Sequence, residues 1–174
     1  MNQLFPLFEV GSLPKLPGRQ AKLQEKIPSS RDVEQLRNAL TLLDNDPELT
    51  TIIEEFLTAQ GKEEIVALNS KFYVKMFEYL GINELYDGEA HRKEMYEAVV
   101  ENVNGMKRLD RQVSFVNRNG LPNVFVPFSY EGKLSLREPL HLDEVIAIQK
   151  QTSRPIKVPL TGAYTLGTWS DLGS

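Results

Sequence analysis

The strongest constraint on this chain is an alternation of short apolar runs of strand length with longer segments whose apolar residues recur every three or four positions. Between Ser30 and Leu43 the residues Val33, Leu36, Leu40 and Leu43 keep helical spacing, behind Ser29 or Ser30 as the capping residue. Asp46-Pro47 opens a second helix with a capping side chain followed by proline at the first helical position. Ile52, Ile53, Phe56 and Leu57 supply its buried face. After a break at Gln60-Gly61, a longer helix carries Ile65, Leu68, Phe72, Met76 and Leu80 and ends on Gly81, as a left-handed C-terminal residue requires. The Met and aromatic side chains on that face read as core, not as a cofactor pocket. Two more helices are expected, from Glu89 to about Asn102, burying Met95, Val99 and Val103, and from Leu142 to Gln151.

The strand-like runs fall between these helices. Leu4 to Val10, with Pro6 inside it, ends in the loop Gly11-Ser12-Leu13-Pro14. Lys15 to Ser30 reads as a surface excursion with one weak helix. Glu84 to Tyr86 is a second strand. Val113, Phe115, Val124, Val126 and Phe128 alternate around an Asn117-Arg118-Asn119-Gly120 loop, as one strand or a hairpin, after a turn at Asn104-Gly105. Ile156 to Leu160 is the last strand and leads into a polar end at Trp169-Ser170. Such alternation indicates an α/β fold with parallel strands and crossover helices. At 174 residues one single domain is expected over the whole length. About four parallel strands are present, whereas a closed barrel takes eight strands and about 250 residues. The chain is then a small open α/β domain or half of a barrel.

The turn at Asp87-Gly88-Glu89 lies where strand gives way to helix, the end at which parallel-sheet proteins gather ligand groups. Glu89 there is either a ligand-facing carboxylate or an acid favoured by a helix dipole. Ser12 is either a ligand group or a loop and cap residue. Taken alone, Arg118 in a polar Asn-Gly loop is usually a solvated turn residue, and a lone Trp169 is more often packing than a ligand contact. His91 in a charged helix and His141 before another are poor metal ligands without cysteine beside them. Glu94 and Glu97 form a solvated helix face with Arg92 and Lys93.

Composition narrows the function classes. A net charge of −4 leaves no basic excess to neutralise phosphates, so no nucleic-acid partner is expected. The apolar runs are too short for a membrane span, and no basic region followed by an apolar one marks a signal peptide at the N-terminus. With no cysteine the chain has no disulfide, no thiolate metal ligand and no cysteine nucleophile, which fits a cytoplasmic protein.

Three segments together resemble one family. Val10-Gly11-Ser12-Leu13-Pro14-Lys15 is similar to the Gly-Ser-Phe-Pro loop after the first strand of the cobalamin-independent methionine synthases. Asp87-Gly88-Glu89 with Arg92 and Met95 is similar to their Gly-Glu-x-x-Arg-x-x-Met segment. Leu160-Thr161-Gly162-Ala163-Tyr164-Thr165-Leu166 with Trp169-Ser170 is similar to their Leu-Thr-Gly-Pro-x-Thr segment, Ala163 standing for the proline. The resemblance spans nearly the whole chain and implies the first four β/α units of a (β/α)8 TIM barrel, of the shorter, core-only type.

It also implies roles. Gly11 and Ser12 match the loop that holds the carboxylate of homocysteine or methionine, and Glu89 the carboxylate that pairs with the substrate ammonium. Arg118 and Asn119 stand where the family contacts its methyl donor, and Trp169 where a pterin ring packs. The family holds the homocysteine thiol as a zinc-bound thiolate, with His, Cys and Glu ligands from the second half of the barrel. Zinc is thus expected of the full-length family and not of this chain, whose donor is a methylated folate or another methyl compound. The resemblance implies a methyltransferase inactive on its own, which pairs with itself or with a complementary barrel half. Two alternatives stay open. One is a non-catalytic half-barrel that binds a small amino acid or a partner chain. The other is a relative that alkylates other thiols or decarboxylates porphyrins.

Overall fold

The computed structural model describes residues 12–92, 96–116, 120 and 122–171. The strand expected over residues 4–10, and Gly11, Met95, Arg118 and Asn119, lie outside the described residues. In chain order the elements are α1 (Arg19–Leu23), α2 (Ser30–Leu42), α3 (Pro47–Thr58), α4 (Lys62–Tyr79), α5 (Glu97–Asn102), β1 (Val103–Arg108), β2 (Val113–Val116), β3 (Pro122–Phe125), β4 (Phe128–Leu136), α6 (Leu142–Gln149), α7 (Ala163–Trp169) and β5 (Ser170–Asp171). They form two compact units. One takes the residues up to His91 together with Asp143–Pro159, the other Arg92–Leu142 together with the residues from Leu160 onward.

In the first unit the helices begin where side chains satisfy their free amides. Ser29 accepts from the Asp32 amide at 3.2 Å while Asp32 accepts from the Ser29 amide at 2.9 Å, a reciprocal cap on α2. Asp46 accepts from the amides of Glu48 and Leu49, both at 3.0 Å, with Pro47 at the first position of α3. Leu36, Leu40, Leu49, Ile52, Ile53 and Phe56 then pack against Ile65, Leu68 and Phe72 of α4. Farther along α4, Val74 and Phe77 enter a second cluster with Leu85, Tyr86 and Ile148. Tyr73 and Met76 pack against both clusters.

The second cluster surrounds a parallel pairing. Leu85 donates its amide to the Pro155 carbonyl at 2.9 Å, and Lys157 donates to the Leu85 carbonyl at 2.9 Å. The expected second and last strands are therefore neighbours and run the same way, although the pairing is a single bridge. Gly81, at φ 75°, ends α4 as expected. Arg154 closes the same end by donating to the carbonyls of Ile82 and Glu78, the latter at 3.2 Å.

The second unit departs further from expectation. The helix expected from Glu89 does not begin there, because Gly88 (φ 64°) and Glu89 (φ 63°) are both left-handed and no right-handed helix can begin through them; α5 runs over Glu97–Asn102. It passes directly into β1, so Asn104-Gly105 is a bulge inside a strand and not a turn. The register with β4 shifts between Asn104 and Met106, and a Cβ on Gly105 would lie 2.8 Å from the Lys133 carbonyl oxygen. β1 and β4 are antiparallel, and the first two residues of β4 pair in parallel with β5. The segment open between strand and hairpin holds the antiparallel pair β2–β3 and then the start of β4. The sheets are thus mixed where parallel pairing was expected. Tyr96, Val100 and Phe128 form this unit's core, with Met106, Tyr130, Leu166 and Trp169 against it.

The end of α4 carries a pH-sensitive contact. Burial pushes the Glu78 carboxyl up, but hydrogen bonds from Thr152 and Lys75, with the Lys75 and Arg154 charges, outweigh it and hold the group below its ordinary value. Its stabilisation is complete above the ordinary carboxylate range and is lost as pH falls through the lower folded value. Glu78→Gln should lower the unfolding free energy at pH 7 by about 1 kcal/mol, with the deficit shrinking below about pH 4. Urea unfolding across pH measures this, and a deficit independent of pH would refute it.

Candidate functional site

Two loops of the first unit meet beside α4. The segment after Ser12 has no regular structure and is held by side chains of that helix. The Tyr73 hydroxyl donates to the Pro14 carbonyl, and burial pushes this phenol up. The Leu16 amide donates to Oδ1 of the fully buried Asn69 at 2.9 Å. Ser12 at the head of the segment is exposed.

The second loop follows the bridge residue Leu85. Asp87 is fully buried; its Oδ1 accepts from the Ala90 amide at 3.3 Å, and its Oδ2 lies 3.7 Å from Nε2 of His91. Gly88 then takes a left-handed conformation against Leu13, where an added Cβ would come within 2.7 Å of the Leu13 Cβ. Only glycine suits both the angle and the space. Glu89, also left-handed, is partly exposed.

The loops are joined directly. Leu13 donates its amide to the Gly88 carbonyl at 3.2 Å. Lys15 donates through Nζ to the carbonyls of Gly88, at 3.2 Å, and Glu89. Arg19 donates through Nη2 to the Ala90 carbonyl at 3.0 Å, and burial lowers the pKa of its guanidinium. Ser12 and Glu89, expected to act together, thus stand on adjoining loops. An exposed hydroxyl and a carboxylate in such an arrangement suit a small zwitterion, one group for each charged end. Sequence reading named Lys15 and Asp87 only as members of their segments and passed over Arg19, whose one signal was its place shortly after the Gly-Ser-Leu-Pro loop.

Trp169 is the last residue of α7 in the second unit, partly buried, with its ring 6.1 Å from that of Tyr96. It is therefore a packing residue of that core that keeps part of its surface open. A cavity of about 510 Å³ lined by Lys22, Lys26, Ile27, Leu57 and Thr58, among others, shares no residue with the loops just described.

A metal ion finds no fitting donors here. The chain has no cysteine, and among the described residues no group of three or more His, Asp or Glu side chains is disposed to hold one. The zinc implied by the resemblance does not fit the described residues. Among the described residues no helix is long and apolar enough to cross a membrane.

Residues 46–173 match the family described as cobalamin-independent synthase, catalytic domain. The chain belongs to that family. Among its relatives, the methionine synthase of Thermoplasma volcanium is 34% identical over 120 residues, covering 67% of this chain and 33% of the relative. That of Thermoplasma acidophilum is 37% identical over 98 residues, covering 56% of this chain and 27% of the relative. The chain spans about one third of the length of the curated relatives it matches. A solved B12-independent methionine synthase from Shewanella sp. W3-18-1, in complex with selenomethionine, has a TM-score of 0.57 at 20% identity. That match covers 97% of this chain and 41% of the other, and it is a likeness of fold.

The meeting of the two loops gives a direct test of the local geometry. Gly88→Ala should destabilise the protein by more than about 1 kcal/mol, through the positive φ and the overlap with Leu13. Gly167→Ala, inside α7 with nothing within 4 Å of the added Cβ, should be neutral or slightly stabilising. Thermal unfolding of the two variants side by side decides it, and equal behaviour would contradict the packing described.

Proposed function

We propose that this chain is the amino-terminal half of a methionine-synthase-type methyltransferase barrel, and that it carries the subsite for the amino-acid end of homocysteine and its methylated product. The observation that carries the reading is the Leu13–Gly88 hydrogen bond, which seats the Ser12 loop on the Glu89 turn. Membership of the cobalamin-independent synthase family supports it.

In this reading the Ser12 hydroxyl and the backbone of the loop from Gly11 bind the α-carboxylate, and Glu89 binds the α-ammonium. A hydroxyl donor for the anion and a carboxylate for the cation fix the amino acid at both ends, which leaves the side-chain sulfur to be aimed elsewhere. Arg118, Asn119 and Trp169 are proposed contacts to the methyl donor. The exposed part of the Trp169 indole offers a surface for a flat heterocycle such as a methylated folate. Activation of the thiol falls to the complementary half of the family's barrel, so the chain is expected to bind without turnover and to pair with such a half or with itself.

Calorimetric titration with L-methionine and L-homocysteine tests this reading. Binding is expected to require the α-amino group and to weaken at least about tenfold in Glu89→Ala, the loss of one charge-assisted contact. A folded chain that binds neither amino acid removes the reading. Binding that survives Glu89→Ala unchanged reassigns the ammonium contact.

A further inference from the structure

The carbonyls of Gly88, Glu89 and Ala90 are three consecutive acceptors in a turn, and among the described residues one short stretch of chain supplies donors to all three. Leu13 supplies a backbone amide, Lys15 an ammonium that reaches two of the carbonyls, and Arg19 a guanidinium. From this arrangement we infer that Lys15 and Arg19 are positioning residues, which hold the Glu89 turn at a fixed spacing from the Ser12 loop and thereby select an α-amino acid by the separation of its charged groups.

Two left-handed residues in succession, one of them not glycine, form an unfavourable local conformation that needs outside contacts to persist. The contacts from Lys15 and Arg19 are charge-assisted and so stronger than the amide–carbonyl bond from Leu13. Arg19 is also drawn partly out of water to reach a neutral carbonyl, and its buried Nε has no hydrogen-bond partner. A half-buried guanidinium held this way carries a desolvation cost that its contacts must offset. Charge attraction to an acid does not explain its placement, because its acceptor is a backbone oxygen.

The consequence concerns ligand choice. Lys15 and Arg19 follow Ser12 on the same short segment, which Tyr73 and Asn69 pin to α4. The group for the anionic end and the turn for the cationic end therefore form one braced piece. In an α-amino acid one carbon carries both charged groups, whereas a β-amino acid inserts another carbon between them. A braced pair of subsites accepts the first spacing and resists the second. A turn freed from its donors would accommodate either.

This inference rests on the reading of Glu89 as the ammonium partner, and its test separates the two. The probes are L-methionine and its β-amino homologue, titrated into wild type, Lys15→Met, Arg19→Met, Lys15→Arg and Glu89→Ala. In parallel, the Glu89 Cα chemical shift and Ala90 amide exchange report the turn by NMR without any ligand. The Met variants are expected to shrink the preference for the α-amino acid by about tenfold, a change equivalent to one lost charge-assisted contact. They should also move the Glu89 shift away from its left-handed value and speed Ala90 exchange. Lys15→Arg, which keeps a donor, should retain most of the preference. If Glu89→Ala abolishes binding but the Met variants keep both affinity and preference, the positioning role is overturned and the ammonium reading stands. If wild type binds neither probe, the ammonium reading and the ligand preference both fall. Unchanged NMR signals in the Met variants would also overturn the bracing itself.

Discussion

Burial of α4 on two sides is the constraint on which the first unit depends. Its first half closes the helical core of α2 and α3 through Ile65, Leu68 and Phe72. Its second half, through Val74 and Phe77, forms one wall of the cluster around Leu85 and Ile148. A helix with apolar neighbours on more than one face has little freedom to rotate, since turning one face outward exposes the other. That fixes Asn69 and Tyr73, whose polar atoms reach the loop after Ser12. The candidate site thus takes its geometry from the hydrophobic packing around α4, and its polar contacts are placed by a helix held on more than one face.

The polar chemistry near Glu89 is directed at the backbone. Lys15 and Arg19 both satisfy carbonyls, Asp87 accepts from an amide, and Gly88 meets the Leu13 side chain. Such contacts do not favour any one side chain at position 89, so the turn can be built firmly while Glu89 keeps part of its surface toward solvent. A site whose shape comes from main-chain contacts can change its specificity at one residue without losing its form.

The parts of the fold legible in the sequence were those governed by local rules. α2, α3 and α4 were expected nearly where they lie, because caps at Ser29 and Asp46, a proline at position 47 and a glycine at position 81 are short-range signals. The adjoining of the Ser12 and Glu89 loops was legible through family resemblance. The start of α5 was not legible, because the left-handed turn at Gly88 and Glu89 takes donors from more than seventy residues away in sequence. Asn104-Gly105 was read as a turn because the dipeptide favours left-handed geometry, which a bulge uses equally well. α7 was missed because Thr161 to Trp169 lacks the apolar periodicity of a packed helix, and only Leu166 and Trp169 touch the core there.

The first unit is discontinuous, and this has a consequence for how the protein is made. Leu85 and Tyr86 take their partners from Ile148 and Ile156, which follow an intervening segment of about fifty residues belonging to the second unit. On the ribosome the helices of the first core can assemble early, because all their partners lie within the first eighty residues. The wall that backs the Asp87 turn must wait until Ile156 has emerged. During that interval Leu85 lacks its bridge partner, and the newborn chain passes through a stage at which its candidate site is only half supported.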